Sequence, residues 1–163
     1  MCYLYATRLT PTDLKWLSDT VAATSQLKPE NFSFLRRQRI WRIVDLRPDG
    51  EAADQPSSEV MKRAAAAQNM EFAYVPIPHE SIPDASVDAL TAALQDHGFT
   101  VLYCRSGRRA VRTFALVEAS RPGGPSVEEI LKMVVDAGFT AEDLKANIIQ
   151  RIAARRPLPA TKP

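Results

Sequence analysis

Apolar positions fall into short blocks along the chain, and their spacing alternates between strand-like and helix-like periods. Thr20-Val-Ala-Ala-Thr reads as a short strand. Lys28 to Gln38 reads as a helix, with Pro29 in its first turn and Phe32 and Leu35 spaced for one face. Ile40-Trp-Arg-Ile-Val-Asp-Leu is the clearest strand, rich in β-branched and aromatic residues, and it stops at the turn signal Arg47-Pro-Asp-Gly. The next helix is expected from Ser57 or Ser58 to Gln68, with Ala64 to Ala67 permitting close packing. Phe72-Ala-Tyr-Val-Pro-Ile reads as a strand that ends at Pro76 or runs along an edge. Asp84 is the expected N-cap of a helix carrying Val87, Leu90 and Leu94 on one face, and Gly98 is its expected end. A strand at 100–103, a polar loop and a helix to Ser120 follow.

Arg121-Pro-Gly-Gly-Pro breaks the chain, and Ser126 with Glu129 forms a capping-box pattern. Val127, Ile130, Leu131 and Val134 keep helical spacing up to Gly138. Thr140 and Asp143 open a last helix whose buried side is Leu144, Ile148 and Ile152. Residues 1–19 are mixed, with Leu4, Leu9, Leu14, Trp16 and Leu17 available to pack. Strands alternating with helices imply an α/β fold: a mostly parallel central sheet flanked by helices, with a C-terminal helical cluster. One domain is expected over 1–155, followed by a mobile proline-bearing tail over 156–163, and the C-terminal arginines from Arg155 onward read as solvated. In such sheets ligands bind beyond the carboxyl ends of the strands, so the Arg47 turn and the loop after Tyr103 could share one rim.

Composition narrows the class. The chain is 45% hydrophobic and 25% charged, as in ordinary globular proteins, and its apolar runs are far too short to span a bilayer. No signal-peptide pattern opens it, so the cytoplasm is the expected location and no membrane partner is expected. A net charge of +2 argues neither for nor against nucleic acid, which is not an expected partner. The cluster Arg36, Arg37, Arg39 and Arg42 reads as a solvated helix terminus. Two cysteines, Cys2 and Cys104, fit a reducing compartment better than a disulfide framework, and Cys2 reads as incidental. His79 and His97 stand alone, so no metal set is expected, and the chemistry below calls for no cofactor. The sequence selects no oligomeric state.

Candidate chemistry centres on Cys104, which lies where a strand ends and a helix begins. The free N–H groups and positive end of that helix bind anions and favour a thiolate over a thiol. Arg105, Arg108 and Arg109 follow within five residues. An oxyanion docked in the loop Arg105-Ser106-Gly107-Arg108 would meet main-chain N–H groups, while Gly107 permits a backbone angle other residues resist. Arg109 would offer a planar two-pronged clamp, and the thiolate beneath could attack the bound group.

Cys104-Arg-Ser-Gly-Arg-Arg resembles the Cys-(x)4-Arg loop of a bacterial family related to dual-specificity protein phosphatases. That family is usually called beta-lactamase-hydrolase-like or DUF442 phosphatase-like, and some members are labelled sulfur transferases. The similarity also covers Ser25-Gln-Leu-Lys-Pro-Glu-Asn-Phe, Ile43-Val-Asp-Leu-Arg-Pro-Asp-Gly-Glu, Gln55-Pro-Ser and Tyr74-Val-Pro-Ile-Pro, in order over residues 20–120. The resemblance implies a dual-specificity-phosphatase-like fold, with Cys104 as nucleophile and Arg109 as the anion-binding arginine. It also exposes departures. The loop is one residue shorter than in tyrosine and dual-specificity phosphatases, and Ala110 stands where they carry a hydroxyl.

A phosphatase needs an acid to protonate the leaving oxygen. Glu80 and Asp84, after Tyr74-Val-Pro-Ile-Pro, are the better-placed candidates, and Asp49 on the neighbouring rim is another. His79 lies near them; Asp45 would orient loops from a strand end, and Arg47 would add charge to the rim or brace the turn. Three functions stay open. One is a cysteine-dependent phosphatase acting on phosphate esters, small-molecule or phosphoprotein, through a thiophosphate on Cys104. The second is a rhodanese-like sulfurtransferase carrying a persulfide on Cys104. The third is a non-catalytic phosphate-binding module. In each the partner is a phosphate- or sulfur-containing anion.

Overall fold

The computed structural model describes residues 14–95 and 98–160. Cys2, Leu4, Leu9, His97 and the last residues of the tail lie outside them. A five-stranded sheet runs in the order β1-β2-β5-β3-β4. Its strands are β1 (Lys15–Trp16), β2 (Val21–Thr24), β3 (Arg42–Asp45), β4 (Glu71–Tyr74) and β5 (Thr100–Tyr103). All neighbours are parallel except β1, which pairs antiparallel with β2. The helices are α1 (Phe32–Arg37), α2 (Ser58–Ala67), α3 (Asp84–Ala93), α4 (Arg108–Ser120), α5 (Val127–Asp136) and α6 (Lys145–Ala153).

Side chains on a strand alternate between faces, and here the two faces build two cores. Phe32 and Leu35 of α1 and Met61 and Ala65 of α2 pack with Ile43, Val101 and Tyr103 on one face. Val44, Leu102 and Cys104 join α3, α4, α5 and α6 on the other. Helix α4 lies at the middle of that second layer, and ten of its thirteen residues are buried. The expected parallel α/β sheet with a late helical cluster is the fold observed.

Several elements differ from their sequence expectation. Strand β1 was not foreseen, because two residues carry no period, and its Trp16 is half exposed, edge-on to Phe99. Pro83, not Asp84, stands at the N-cap position of α3, with no side-chain cap; Asp84 opens the helix and its carboxylate pairs with Arg151 of α6. It stops at Ala93; Gly98 lies against the Trp41 ring, where a Cβ would come within 3.3 Å of the indole. Arg42 belongs to no solvated helix terminus: it is buried on β3 and bonded to Glu71 of the adjacent strand. β4 is an edge strand, as Pro76 suggested, and beyond it the N–H groups of Val75 and Ile77 still donate to Asp45 and Leu46 carbonyls.

Arg155 also departs from a solvated tail. Its guanidinium donates to the carbonyls of Glu118, Ala119, Gly124 and Pro125, closing the C-terminal end of α4. The Glu118 and Ala119 carbonyls belong to the last turn of α4 and the Gly124 and Pro125 carbonyls to the loop beyond it, and a cation there also meets the negative end of the helix dipole. Replacing Arg155 by Ala is expected to lower the unfolding free energy by about 2 kcal/mol, the range for hydrogen bonds from a charged donor. Urea denaturation followed by circular dichroism measures it, and an unchanged midpoint would refute the capping role.

Candidate active site

β5 is the central strand, flanked by β2 and β3 in parallel register. Four rim loops therefore converge around the residue that follows it, Cys104. The chain passes from β5 to α4 in only four residues, Cys104 to Gly107. Gly107 makes the turn at φ 90°, and a Cβ there would meet the Thr24 carbonyl oxygen at 3.3 Å. Conformation and space both call for glycine. The turn aims the Gly107 N–H at Cys104 Sγ, 3.2 Å away. The thiol is 1% exposed. The first-turn N–H groups of α4 have no intrahelical acceptors, and the Arg108 N–H reaches only the Ser106 hydroxyl at 3.4 Å, so the loop is a cradle at the positive end of a long helix. The main-chain N–H of Gln26 donates to the Arg105 carbonyl at 3.2 Å, stitching this loop to the one after β2.

Arg109 is buried beside the sulfur. Its Nη1 donates to Glu51 Oε1 at 2.5 Å and to the Ile77 carbonyl at 2.9 Å, and its Nη2 donates to Glu51 Oε2 at 2.9 Å. Arg47, also buried, donates from Nε to the same Glu51 Oε2 at 2.9 Å and from Nη1 to Gln26 Oε1 at 2.8 Å. Hydrogen bonds from Arg109, reinforced by Arg47, pull the Glu51 carboxyl down to a pKa of about 2. The same pairing, with Cys104 nearby, raises the Arg109 pKa.

Asp45 ends β3 on the opposite face of the sheet. Burial pushes its pKa up to about 6 against the Arg47 main-chain N–H, which donates to Oδ1 at 2.9 Å. The Tyr103 hydroxyl stands beside it without the geometry of a full hydrogen bond, and burial with this carboxylate raises the tyrosine pKa far above its usual value. Asp45 thus holds the start of the turn that carries Arg47 and Glu51.

Two clefts flank the cradle. The larger, about 720 Å³, is bordered by Lys28, Arg47, Glu51, Asp54, His79 and Arg105. The smaller, about 190 Å³, is bordered by His79, Glu80, Arg108, Arg109, Arg112 and Asp143. The structure therefore brings Glu80 and Arg109 to one cleft, with His79 shared by both. It does not bring Asp84 or Asp49 there. Asp84 is exposed at the start of α3 in its ion pair with Arg151. Asp49 accepts from the main-chain N–H and hydroxyl of Ser58 at 2.7 and 2.6 Å, anchoring the start of α2. Arg105, Ser106 and Arg108 are exposed on the rim, and Ala110 is buried. Arg47 braces the turn through its pairing with Glu51 and Gln26 as well as bordering the larger cleft.

Glu51 and Gln26 carry no role in the sequence reading, yet they tie the rim together. The available signal was the glutamate closing Leu-Arg-Pro-Asp-Gly-Glu: a buried arginine demands a carboxylate. Which carboxylate is a question of contacts 58 residues apart.

Residues 13–121 match the sequence model of the family described as beta-lactamase hydrolase-like protein, phosphatase-like domain. The chain is 30% identical over 103 residues to a beta-lactamase hydrolase-like protein of Xylella fastidiosa, covering 63% of this chain and 24% of that relative. It thus spans about a quarter of the length of the curated relatives it matches. Among solved structures, the nma1982 protein of Neisseria meningitidis Z2491 superposes with a TM-score of 0.72 at 22% identity, over 87% of this chain and 99% of that one. The core catalytic domain of the PP-IP phosphatase SIW14 of S. cerevisiae superposes with a TM-score of 0.63 at 18% identity, over 88% and 87%. The fold is that of the dual-specificity-phosphatase-like α/β proteins.

The two shifted carboxylates give opposite limbs to a stability–pH curve. Asp45 holds its proton more tightly in the folded state, so its contribution is greatest below its ordinary 3.8 and is lost as pH rises through about 6. Glu51 releases its proton more readily when folded, so its contribution is complete above its ordinary 4.5 and is lost as pH falls toward about 2. Urea denaturation from pH 2 to 8 should show Asp45→Asn flattening the upper limb and Glu51→Gln shrinking the lower one. Parallel curves for wild type and either variant would contradict the assignment.

Proposed function

The chain belongs to the beta-lactamase hydrolase-like protein, phosphatase-like domain family, and on that footing we propose that it is a cysteine-dependent phosphatase acting on phosphate esters. The observation that carries the proposal is the cradle itself: the Cys104 sulfur under the Gly107 N–H, at the first turn of α4, with the Arg109 guanidinium beside it. These donors converge on one point, and a tetrahedral anion is the ligand such a set serves.

In the first step the Cys104 thiolate attacks phosphorus, the phosphorus–oxygen bond of the ester breaks, and the leaving oxygen takes a proton from the Glu80 carboxyl. Negative charge spreads over the equatorial oxygens, which the loop N–H groups and Arg109 receive. In the second step water attacks the cysteinyl phosphate, the phosphorus–sulfur bond breaks, inorganic phosphate departs and a proton returns to Glu80. Glu80 takes this role because it borders the cleft that Arg109 also borders, whereas Asp84 and Asp49 are bonded elsewhere. With no hydroxyl at Ala110, departure of the thiolate in the second step rests on the Gly107 N–H. The cleft of about 720 Å³ beside the loop gives the organic part of the ester its place.

Brief exposure of the reduced protein to p-nitrophenyl phosphate should add one phosphoryl group by intact mass, and Cys104→Ser should add none. Glu80→Gln should slow turnover of esters with poor leaving groups by about 100-fold, with a smaller loss for good ones, as befits a general acid. A gain of one sulfur atom from thiosulfate, with no phosphoryl gain from the ester, would replace hydrolysis by sulfur transfer.

A further inference from the structure

An arginine guanidinium presents five N–H donors in one rigid plane. One edge pairs Nη1 with Nη2, and the adjacent edge pairs Nε with Nη2. Glu51 takes the first edge of Arg109 in full, at 2.5 and 2.9 Å. The Ile77 carbonyl takes the other Nη1 hydrogen at 2.9 Å. The Nε–H and the second Nη2 hydrogen remain, side by side, and the Cys104 sulfur is the neighbouring group they can serve. Their spacing matches two oxygens of a phosphoryl group.

Glu51 is held from behind. Arg47 donates to its Oε2 at 2.9 Å and to Gln26 Oε1 at 2.8 Å. The Gln26 main-chain N–H returns to the Arg105 carbonyl, within the cysteine loop itself. Contacts from Arg109 through Glu51, Arg47 and Gln26 thus close on the segment that carries the thiol. The side chains of Arg47 and Arg109 are each 7% exposed and that of Glu51 22%, so these pairs are shielded from competing water.

We propose, building on the phosphatase reading, that Glu51 is the positioning residue of the anion clamp: it occupies the outer edge of Arg109 and so presents the inner edge to the phosphoryl oxygens above Cys104. The contrasting role, a carboxylate plug that a substrate must displace, would put Glu51 on the inner edge. The contacts put it on the outer one. The two roles differ in sign. A plug removed frees the cradle and raises kcat/KM. A positioning carboxylate removed lets the guanidinium turn, and misorientation of a charge-stabilising donor falls on the chemical step.

Two measurements on Glu51→Gln decide. The first needs no turnover: the Arg109 Nε–H resonance, assigned with Arg109→Lys, should be sharp and slowly exchanging in the free wild-type protein, and broadened or lost in the variant. The second uses p-nitrophenyl phosphate with rates expressed per titrated Cys104 thiol, so that a partly unfolded sample does not count. There kcat should fall on the order of 10- to 100-fold with a much smaller change in KM. Gln26→Ala, which opens the same ring without removing a charge, should reproduce both effects in milder form and serves if Glu51→Gln does not fold. An equally sharp Arg109 signal in a folded variant, or a rise in kcat/KM, overturns the proposal. A wild-type protein without turnover whose Arg109 signal still depends on Glu51 would leave the positioning role standing and sink the phosphatase reading alone.

Discussion

Between the end of β5 and the start of α4 the chain has four residues in which to leave a buried central strand and enter a long helix lying back across the sheet. That turn is possible because Gly107 adopts φ 90°, a backbone angle that side chains resist, where a Cβ would also crowd the Thr24 carbonyl oxygen at 3.3 Å. Once the turn is made, much follows. The thiol must lie at the floor of the loop, the positive end of α4 must point at it, and Arg109 in the first turn must pass beside it. The proposed anion cradle is thus a product of backbone closure before any side chain is placed.

Closure brings buried charge with it. Arg47, Arg109 and Arg112 each lie almost wholly inside the protein. An unpaired guanidinium there would be prohibitive, and each has found oxygen partners. Arg47 and Arg109 share Glu51, while Arg112 reaches the Thr140 carbonyl and Asp143, joining α4 to the approach to α6. Arg155 closes the far end of α4 on main-chain carbonyls. One helix therefore carries the cysteine loop at its positive end and a guanidinium at its negative end. The late helices, beyond the stretch matched by the family, supply partners that hold it in place.

Elements with long, periodic apolar patterns were readable in advance. The strand at Ile40–Leu46, the helix opened by the Ser126–Glu129 box and the strand–loop–helix at Cys104 all stand near their expected positions. Strand β1 was not readable, since two residues offer no period and only its pairing with β2 defines it. Arg42 and Arg155 looked solvated because their partners are not sequence neighbours: Glu71 lies across a strand, and the carbonyls Arg155 binds lie 30 to 37 residues back. Asp84 looked like a cap by type and place, yet Pro83 takes that position and the carboxylate serves Arg151.

The site divides along the same line. Sequence alone determined the alternation of strands and helices, the glycine-bearing turn after Cys104 and the arginines beside it, because these depend on local period, backbone freedom and adjacency. Tertiary structure decided which charges meet. Parallel strands bring the ends of β2, β3, β4 and β5 to one rim, so that Gln26, Arg47, Glu51, Ile77 and Arg109 become neighbours although they span 84 positions of the chain. Glu51 stands at the end of a turn that reads as polar surface; only the folded rim, by burying two guanidinium groups on either side of it, makes its carboxylate part of the cradle's wall.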